Sequence, residues 1–311
     1  MSKGKPNVKM AKNSTDWLKI LKICLQFGIP IAAMAALLGN VTTICDRDAL
    51  RSRCLSLGFQ IESTEKLITA LNSTEPVTQA AAFAKLTELL TKQPEVSTVA
   101  KPLFIAYFNQ RYAIGSLKQA ATDSTIHDAL NLISILSKNL NDKEKFEINN
   151  VDLQNVDFSN LNFDGIIITK TFLQDSNMKN FSLKGATITE SRLDRITAPK
   201  LNLRNTNISK TCFESAELRD ANLKNSSIAD TDFNNANLAK ADLSFSNLNR
   251  VRFAGSNISG VVFTKAEAIA ISTLQKSQTR EQIAIQFPNV SIQDISFDPR
   301  KYSQCELIET R

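Results

Sequence analysis

Few residues of this chain have the chemistry for catalysis. His127 is the one histidine, so a Ser/His/Asp arrangement has a single possible base. A lone titratable group in a helical pattern reads as an ordinary helix-surface or core histidine. The five cysteines, Cys24, Cys45, Cys54, Cys212 and Cys305, are odd in number and contain no CxxC pair. That spacing indicates neither a zinc site nor a disulfide framework. No glycine-rich phosphate loop, HExxH or GxSxG occurs, and the chain has only nine Gly; Asp230 and Asp232 read as solvated rim carboxylates, not an acid/base pair. No catalytic residue, cofactor or metal is therefore expected. The remaining candidates are for binding. Lys184, Arg204 and Lys224 recur at a spacing of twenty, Lys179, Lys200 and Arg219 lie close to them, and Ile167 and Phe172 add apolar side chains. Either they form a strip for anions or an acidic partner, or they are solvated cations offset by Glu217 and Asp220.

The choice depends on what positions them. From Phe146 to Lys265 an apolar residue returns every five positions, giving twenty-four pentads with centres at Ile148, Leu153, Phe158, Phe163, Ile168 and so on to Phe263. A second small or apolar residue sits two positions before each centre, as at Val151, Ala186, Ala216, Ala221, Ala236 and Ala241. A spacing of two between inward side chains belongs to a strand, and the following gap of three breaks the alternation. Something must turn there. Twelve of the residues just before the centres are Asp or Asn, short polar side chains that bond nearby backbone and favour turns. Each pentad thus reads as a very short strand plus a corner, with Cys212 at an outward-facing position.

Like residues recur at twenty. Ile148, Ile168, Ile188, Ile208 and Ile228 form one column, Phe213, Phe233 and Phe253 a second, and Leu183, Leu203, Leu223 and Leu243 a third. Four pentads then close a coil, and 120 residues give six square coils with a side-chain-filled interior, roughly 29 Å tall at a strand spacing of ~4.8 Å. The segments "ADLSF", "ANLKN", "ANLAK" and "TDFNN" resemble the A(D/N)LxX motif of the pentapeptide-repeat family. That resemblance implies a mainly β fold, a right-handed quadrilateral β-helix. "ITAPK" at Ile196–Lys200 departs from the motif: its centre is the undersized Ala198, and Pro199 removes a backbone donor. A local dent is expected there.

Before the repeats the chain changes character. Residues 1–22 form a basic tail with Lys3, Lys5, Lys9, Lys12, Lys19 and Lys22, and residues 23–45 contain no charged side chain. As a helix this segment would reach about 34 Å, enough to cross a bilayer core. Trp17 suits an interfacial anchor. A cleaved signal peptide using "AMA" at Ala33–Ala35, or a buried core helix, are the alternatives. With six Lys before the segment against Arg47, Arg51 and Arg53 after it, the N-terminus is expected in the cytoplasm and the repeats across the membrane. Unpaired cysteines there argue the other way.

Residues 46–145 read as a helical module. Pro76 opens one helix with Phe83, Leu86 and Leu90 on a stripe; Ala129, Ile133, Leu136 and Leu140 mark another. The apolar stretch between them is broken by Pro102. Loosely, "TEKLITAL", "QAAAFAKLTELL" and "STIHDALNLISIL" resemble the helical segment preceding the repeats in some membrane-anchored bacterial members of the family. The last helix is expected to cover the lower end of the rod near Phe146. Residues 266–311, with a possible capping box at Thr279 and Gln282, are expected to cover the upper end and finish in a polar tail.

These features point to a membrane-tethered, non-catalytic scaffold for a protein partner, because a repetitive rod without a pocket supplies surface, not a reaction centre. The resemblance supplies an alternative, since some members imitate DNA and bind topoisomerases. Such mimicry needs an acidic rod, and this one carries 14 basic and 13 acidic residues. Nucleic-acid binding is not expected either: most of the +6 net charge sits in the first 45 residues. A third reading is an enzyme with its site in the helical module around His127.

Overall fold

A computed structural model describes residues 66–116, 119–138, 145–263 and 266–272, together with Thr64 and Cys305. These all belong to the second of two compact units, Ile61–Arg311. The anchor expected at 23–45, the basic tail and the Thr279–Gln282 capping box lie outside the described residues. Among the described residues no helix is long and apolar enough to cross a membrane.

Among the described residues, α1 (Pro76–Lys92), α2 (Ser97–Arg111) and α3 (Ile126–Lys138) precede the repeats, after helical residues 66–71. Helix α1 opens on Pro76, where a missing N–H is harmless, and buries Ala82, Phe83, Leu86 and Leu90. Helix α3 buries Ala129, Ile133 and Leu136 as its periodicity requires. The expected break at Pro102 does not occur, since Pro102 lies inside α2. Burial of Phe104, Tyr107 and Phe108 along the same helix outweighs the one hydrogen bond that proline forfeits, an effect of about 3 kcal/mol.

The repeats wind into a parallel β-solenoid. One face carries three-residue strands β1 (Glu147–Asn149), β2 (Ile167–Thr169), β3 (Thr187–Thr189), β4 (Asn207–Ser209) and β5 (Ser227–Ala229), then β6 (Asn247–Arg252) and β7 (Glu267–Ser272), paired in chain order. Three further columns of isolated parallel bridges run through Asp152, Asp157 and Asn162 at intervals of twenty, so a coil has four sides. Every pentad centre except Ile258 is buried. The Phe column stacks as expected, with Phe213–Phe233 at 5.0 Å and Phe233–Phe253 at 5.5 Å between ring centroids.

The corners use two residues cooperatively. The Asp or Asn before a centre accepts from the backbone N–H two positions on, as Asp157 Oδ1 does from Ser159 at 2.9 Å and Asp242 Oδ1 from Ser244 at 2.8 Å. The residue two past the centre then takes positive φ, 58° at Asn155 and 59° at Asn205, and the turn closes by bonds such as Leu218 C=O accepting from Ala221 N–H at 3.0 Å. Positive φ at the third residue fits a type II turn. This corrects the reading of "ITAPK". Pro199 occupies the second turn position of the third face, where the N–H of Ser159, Lys179, Ala239 and Ser259 bonds the preceding Asx side chain instead of a neighbouring coil. The ladder therefore runs on undented: Ala198 N–H donates to Glu217 at 2.8 Å, Lys200 N–H to Arg219 at 2.9 Å, and Asn180 N–H to Pro199 at 3.2 Å.

The upper end departs from expectation. Five coil-to-coil steps keep a register of twenty, but the sixth, β6 to β7, shifts between Leu248 and Asn249 and again before Val251. The regular solenoid has about five turns, not six. "EAIAIS" in β7 offers no Asn, Asp or Gly to turn a corner, so its backbone stays extended through Ser272. At the lower end α3 lies beside the first coil, with His127 and Asn131 next to Asp157, Ser159 and Leu161, and the end of α2 adds backbone pairing. Ala113 forms an antiparallel bridge with Val151, Asp152 N–H donates to Tyr112 at 2.7 Å, and Asn109 Nδ2 donates to Glu147 O at 3.3 Å. That pairing blunts an open strand edge.

Candidate functional site

The four faces follow chain order: the first holds the β-strands, and the second, third and fourth hold the columns through Asp152, Asp157 and Asn162. The fourth is thus opposite the second. Lys184, Arg204 and Lys224 each follow a buried centre by one residue and project from the fourth face, with Lys184 and Arg204 exposed and Lys224 half-buried. Their backbones are pinned: Lys184 N–H donates to Asp164 Oδ1 at 2.9 Å and Lys224 N–H to Asn222 Oδ1 at 3.1 Å. Several cations elsewhere on the rod are paired with acids. Glu190 lies 4.0 Å from Lys170 and 3.6 Å from Lys210, Arg195 pairs with Asp175 at 2.7 Å, and Arg250 pairs with Asp230. No such ion pair holds Lys184, Arg204 or Lys224 among the described residues, and Glu217 is committed to Arg219 at 3.6 Å and to Asn237.

The remaining candidates disperse. Lys179 and Arg219 are exposed on the third face and Lys200 on the corner toward the fourth, beside the strip. Ile167 is half-buried in β2 on the first face; Phe172 is half-buried on the second, across the rod from the strip. Two apolar residues do join the fourth face. Phe245 is 46% exposed and Val262 43%, and Lys224 Nζ sits 5.3 Å from the centroid of the Phe245 ring, within cation–π reach. The link from 224 to 245, one coil up and one corner on, was available in the twenty-residue period.

The second face corrects two expectations. Asp232 is not a solvated rim carboxylate but fully buried, and Cys212, though outward-pointing, is buried too. Cys212 is disulfide-bonded to Cys305, with Cα atoms 5.2 Å apart and 93 residues between them in sequence. The partner comes from the expected polar tail and sits on the side of the rod, not beyond its end. Arg192 pairs with Asp194 and Arg252 with Asp232, each at 2.7 Å and largely buried. Burial pushes the Asp194 carboxyl up, against the pull of Arg192.

His127 lines a cleft of about 290 Å³ with Asn131, Asp157, Ser159 and Leu161. The residue types resemble a triad, but the bonding does not. Asp157 Oδ1 accepts from Ser159 N–H and from Asn177 Nδ2, both at 2.9 Å, where a triad carboxylate would hold the imidazole. Burial raises the Asp157 carboxyl, but donors from Ser159 and Asn177, with the charge of His127, hold it below the ordinary range.

A family model described as "Pentapeptide repeats" matches residues 147–185, 216–255 and 226–264, in eight copies. Over those residues the chain is similar to the pentapeptide-repeat family. No curated protein matches the chain. Among solved structures it is similar to QnrB1, a plasmid-mediated fluoroquinolone resistance protein, at 20% identity and TM-score 0.36 over 39% of this chain and 62% of that one. HetL, a pentapeptide repeat protein involved in heterocyst differentiation regulation from the cyanobacterium Nostoc sp. strain PCC 7120, is similar at 20% identity and TM-score 0.30, over 40% of this chain and 70% of its own. Rfr23 from the cyanobacterium Cyanothece 51142 is similar at 20% identity and TM-score 0.24, over 39% and 86%.

Proposed function

We propose that the chain is a membrane-tethered, non-catalytic scaffold whose fourth face binds an acidic protein partner. The observation that carries this reading is the contrast in charge pairing. The rod sets the corner cations Lys170, Lys210, Arg195 and Arg250 against acids one coil away, yet leaves Lys184, Arg204 and Lys224 in line on one face without an ion pair among the described residues. Aligned cations beside exposed Phe245 match the Arg and aromatic anchors of protein interfaces. The charge-free run of residues 23–45 supports the tether. The Lys excess before it and the Cys212–Cys305 disulfide support a repeat domain in an oxidising compartment across the membrane. With 14 basic residues to 13 acidic in the repeats, the rod lacks the field that topoisomerase-binding DNA mimicry requires.

A photo-crosslinking residue at position 204, with a second chain carrying it at position 210 on the opposing corner of the first face, tests this in membranes of the native cells. A discrete protein adduct at 204 and none at 210 is expected. Equal labelling at both positions, or none at 204, contradicts the reading; tight inhibition of purified gyrase by the full chain favours DNA mimicry.

A further inference from the structure

The bridges Arg192–Cys212–Asp232–Arg252 stack four outward side chains up the second face, and all four are buried at the point where Cys305 meets the rod. Each carboxylate divides its oxygens. Asp194 Oδ2 takes the Arg192 guanidinium while its Oδ1 faces the Cys305 sulfur at 4.0 Å. Asp232 Oδ1 takes Arg252, and its Oδ2 faces the same sulfur at 3.8 Å. A disulfide sulfur carries no proton, so it offers Asp194 Oδ1 no hydrogen bond, although Asp194 is only 1% exposed. One donor atom each from Asp194, Cys212 and Cys305 lies within 4.8 Å of the others. Two sulfurs and one carboxylate oxygen suit zinc or a similarly thiophilic ion, whereas calcium and magnesium take oxygen alone.

We propose that opening the Cys212–Cys305 disulfide creates a redox-gated site for a thiophilic divalent cation such as zinc. A dithiol reductant supplies two electrons and two protons, the S–S bond breaks to give two thiols, and the reductant leaves as its own disulfide. The cation then displaces both thiol protons to solvent and binds the two thiolates and Asp194 Oδ1, with Asp232 Oδ2 or water in the fourth position. Charge closes in both states. Two carboxylates balance two guanidinium groups when the cysteines are oxidised, and one divalent cation balances the two added thiolates when they are reduced. The two states exclude each other.

The test uses the full chain in detergent with Cys24, Cys45 and Cys54 changed to Ser, titrated with cobalt(II) after reduction by a phosphine, with zinc as competitor. One equivalent of cobalt should produce a thiolate-to-metal charge-transfer band in the reduced protein and none in the oxidised one. Cys305→Ser, which leaves the solenoid sequence intact, should lose the two-thiolate band, and Asp194→Asn should weaken binding roughly tenfold or more. Independently of either variant, zinc should slow alkylation of Cys212 and Cys305 in the reduced protein. No band at one equivalent, an affinity in both variants equal to that of the parent protein, or alkylation at one rate with and without zinc would each overturn the site.

Discussion

Leu223 has Leu203 below it and Leu243 above it in a dry column, and all three are fully buried. Leu223→Asp puts a charge there with no partner, and should destabilise by several kcal/mol. The comparison variant must be silent for a structural reason. Asn225 is unsuitable, because its Nδ2 donates to Asn205 Oδ1 at 2.8 Å. Asn207 is exposed on β4, and Asn207→Asp should leave the urea midpoint almost unchanged; equal losses for Leu223→Asp and Asn207→Asp would refute the inward register. In the helical module the sensitive residue is Asp123. Burial alone would raise its carboxyl, but Arg111, Thr125 and Tyr112 donate to it and hold it at about 2, against an ordinary 3.8. A lowered folded pKa means stability present above the unfolded value and lost as pH falls through the folded one. Stability should therefore decline between about pH 4 and pH 2. Asp123→Asn should cost about 3 kcal/mol at neutral pH and flatten that part of the acid limb; an unchanged acid profile would contradict the assignment.

Corners are the elements that decide this fold, and they show what a sequence can and cannot announce. The pentad period was enough to place Ile148, Leu203 and Phe233 inside, because side-chain direction along so short a strand follows from spacing alone. It did not say which corner N–H is spare. Pro199 looked damaging only until the second turn position of the third face proved to bond the preceding Asx side chain instead of the neighbouring coil. Pro199→Ala should accordingly destabilise by about 0.4–1 kcal/mol through greater freedom of the unfolded chain. A gain in stability, read by thermal unfolding, would revive the idea of a dent. Nor did periodicity reveal the second face. The burial of Asp232, the pairing of Cys212 with Cys305 and the ion pairs beside them depend on a contact made 93 residues away in sequence, and neither residue spacing nor an odd cysteine count carries that information.

At the scale of the molecule, the second and fourth faces are opposed and differ in what they carry. The second is covered where Cys305 meets it and cross-linked; a bond closing so long a loop contributes about 4–5 kcal/mol in the chain-entropy account. Among the described residues the fourth carries its cations exposed or half-buried, aligned by the twenty-residue period. On the proposed topology a C-terminal alkaline phosphatase fusion should be active, and the full chain should stay with membranes through an alkaline carbonate wash. A membrane-bound chain whose phosphatase is silent while a cytoplasmic reporter works would reverse the orientation. The most direct measurement of the central claim is the affinity of the full chain for the partner recovered by crosslinking at position 204, for Lys184→Glu/Arg204→Glu against Lys138→Glu/Lys145→Glu. Lys138 and Lys145 are exposed cations before the first coil, so the two double variants change net charge equally. The account predicts a loss of roughly tenfold or more for the fourth-face pair, with a weaker salt dependence, and little change for the control pair, because reversed charges meet an acidic surface only on the fourth face. Equal affinities for the two variants would contradict it.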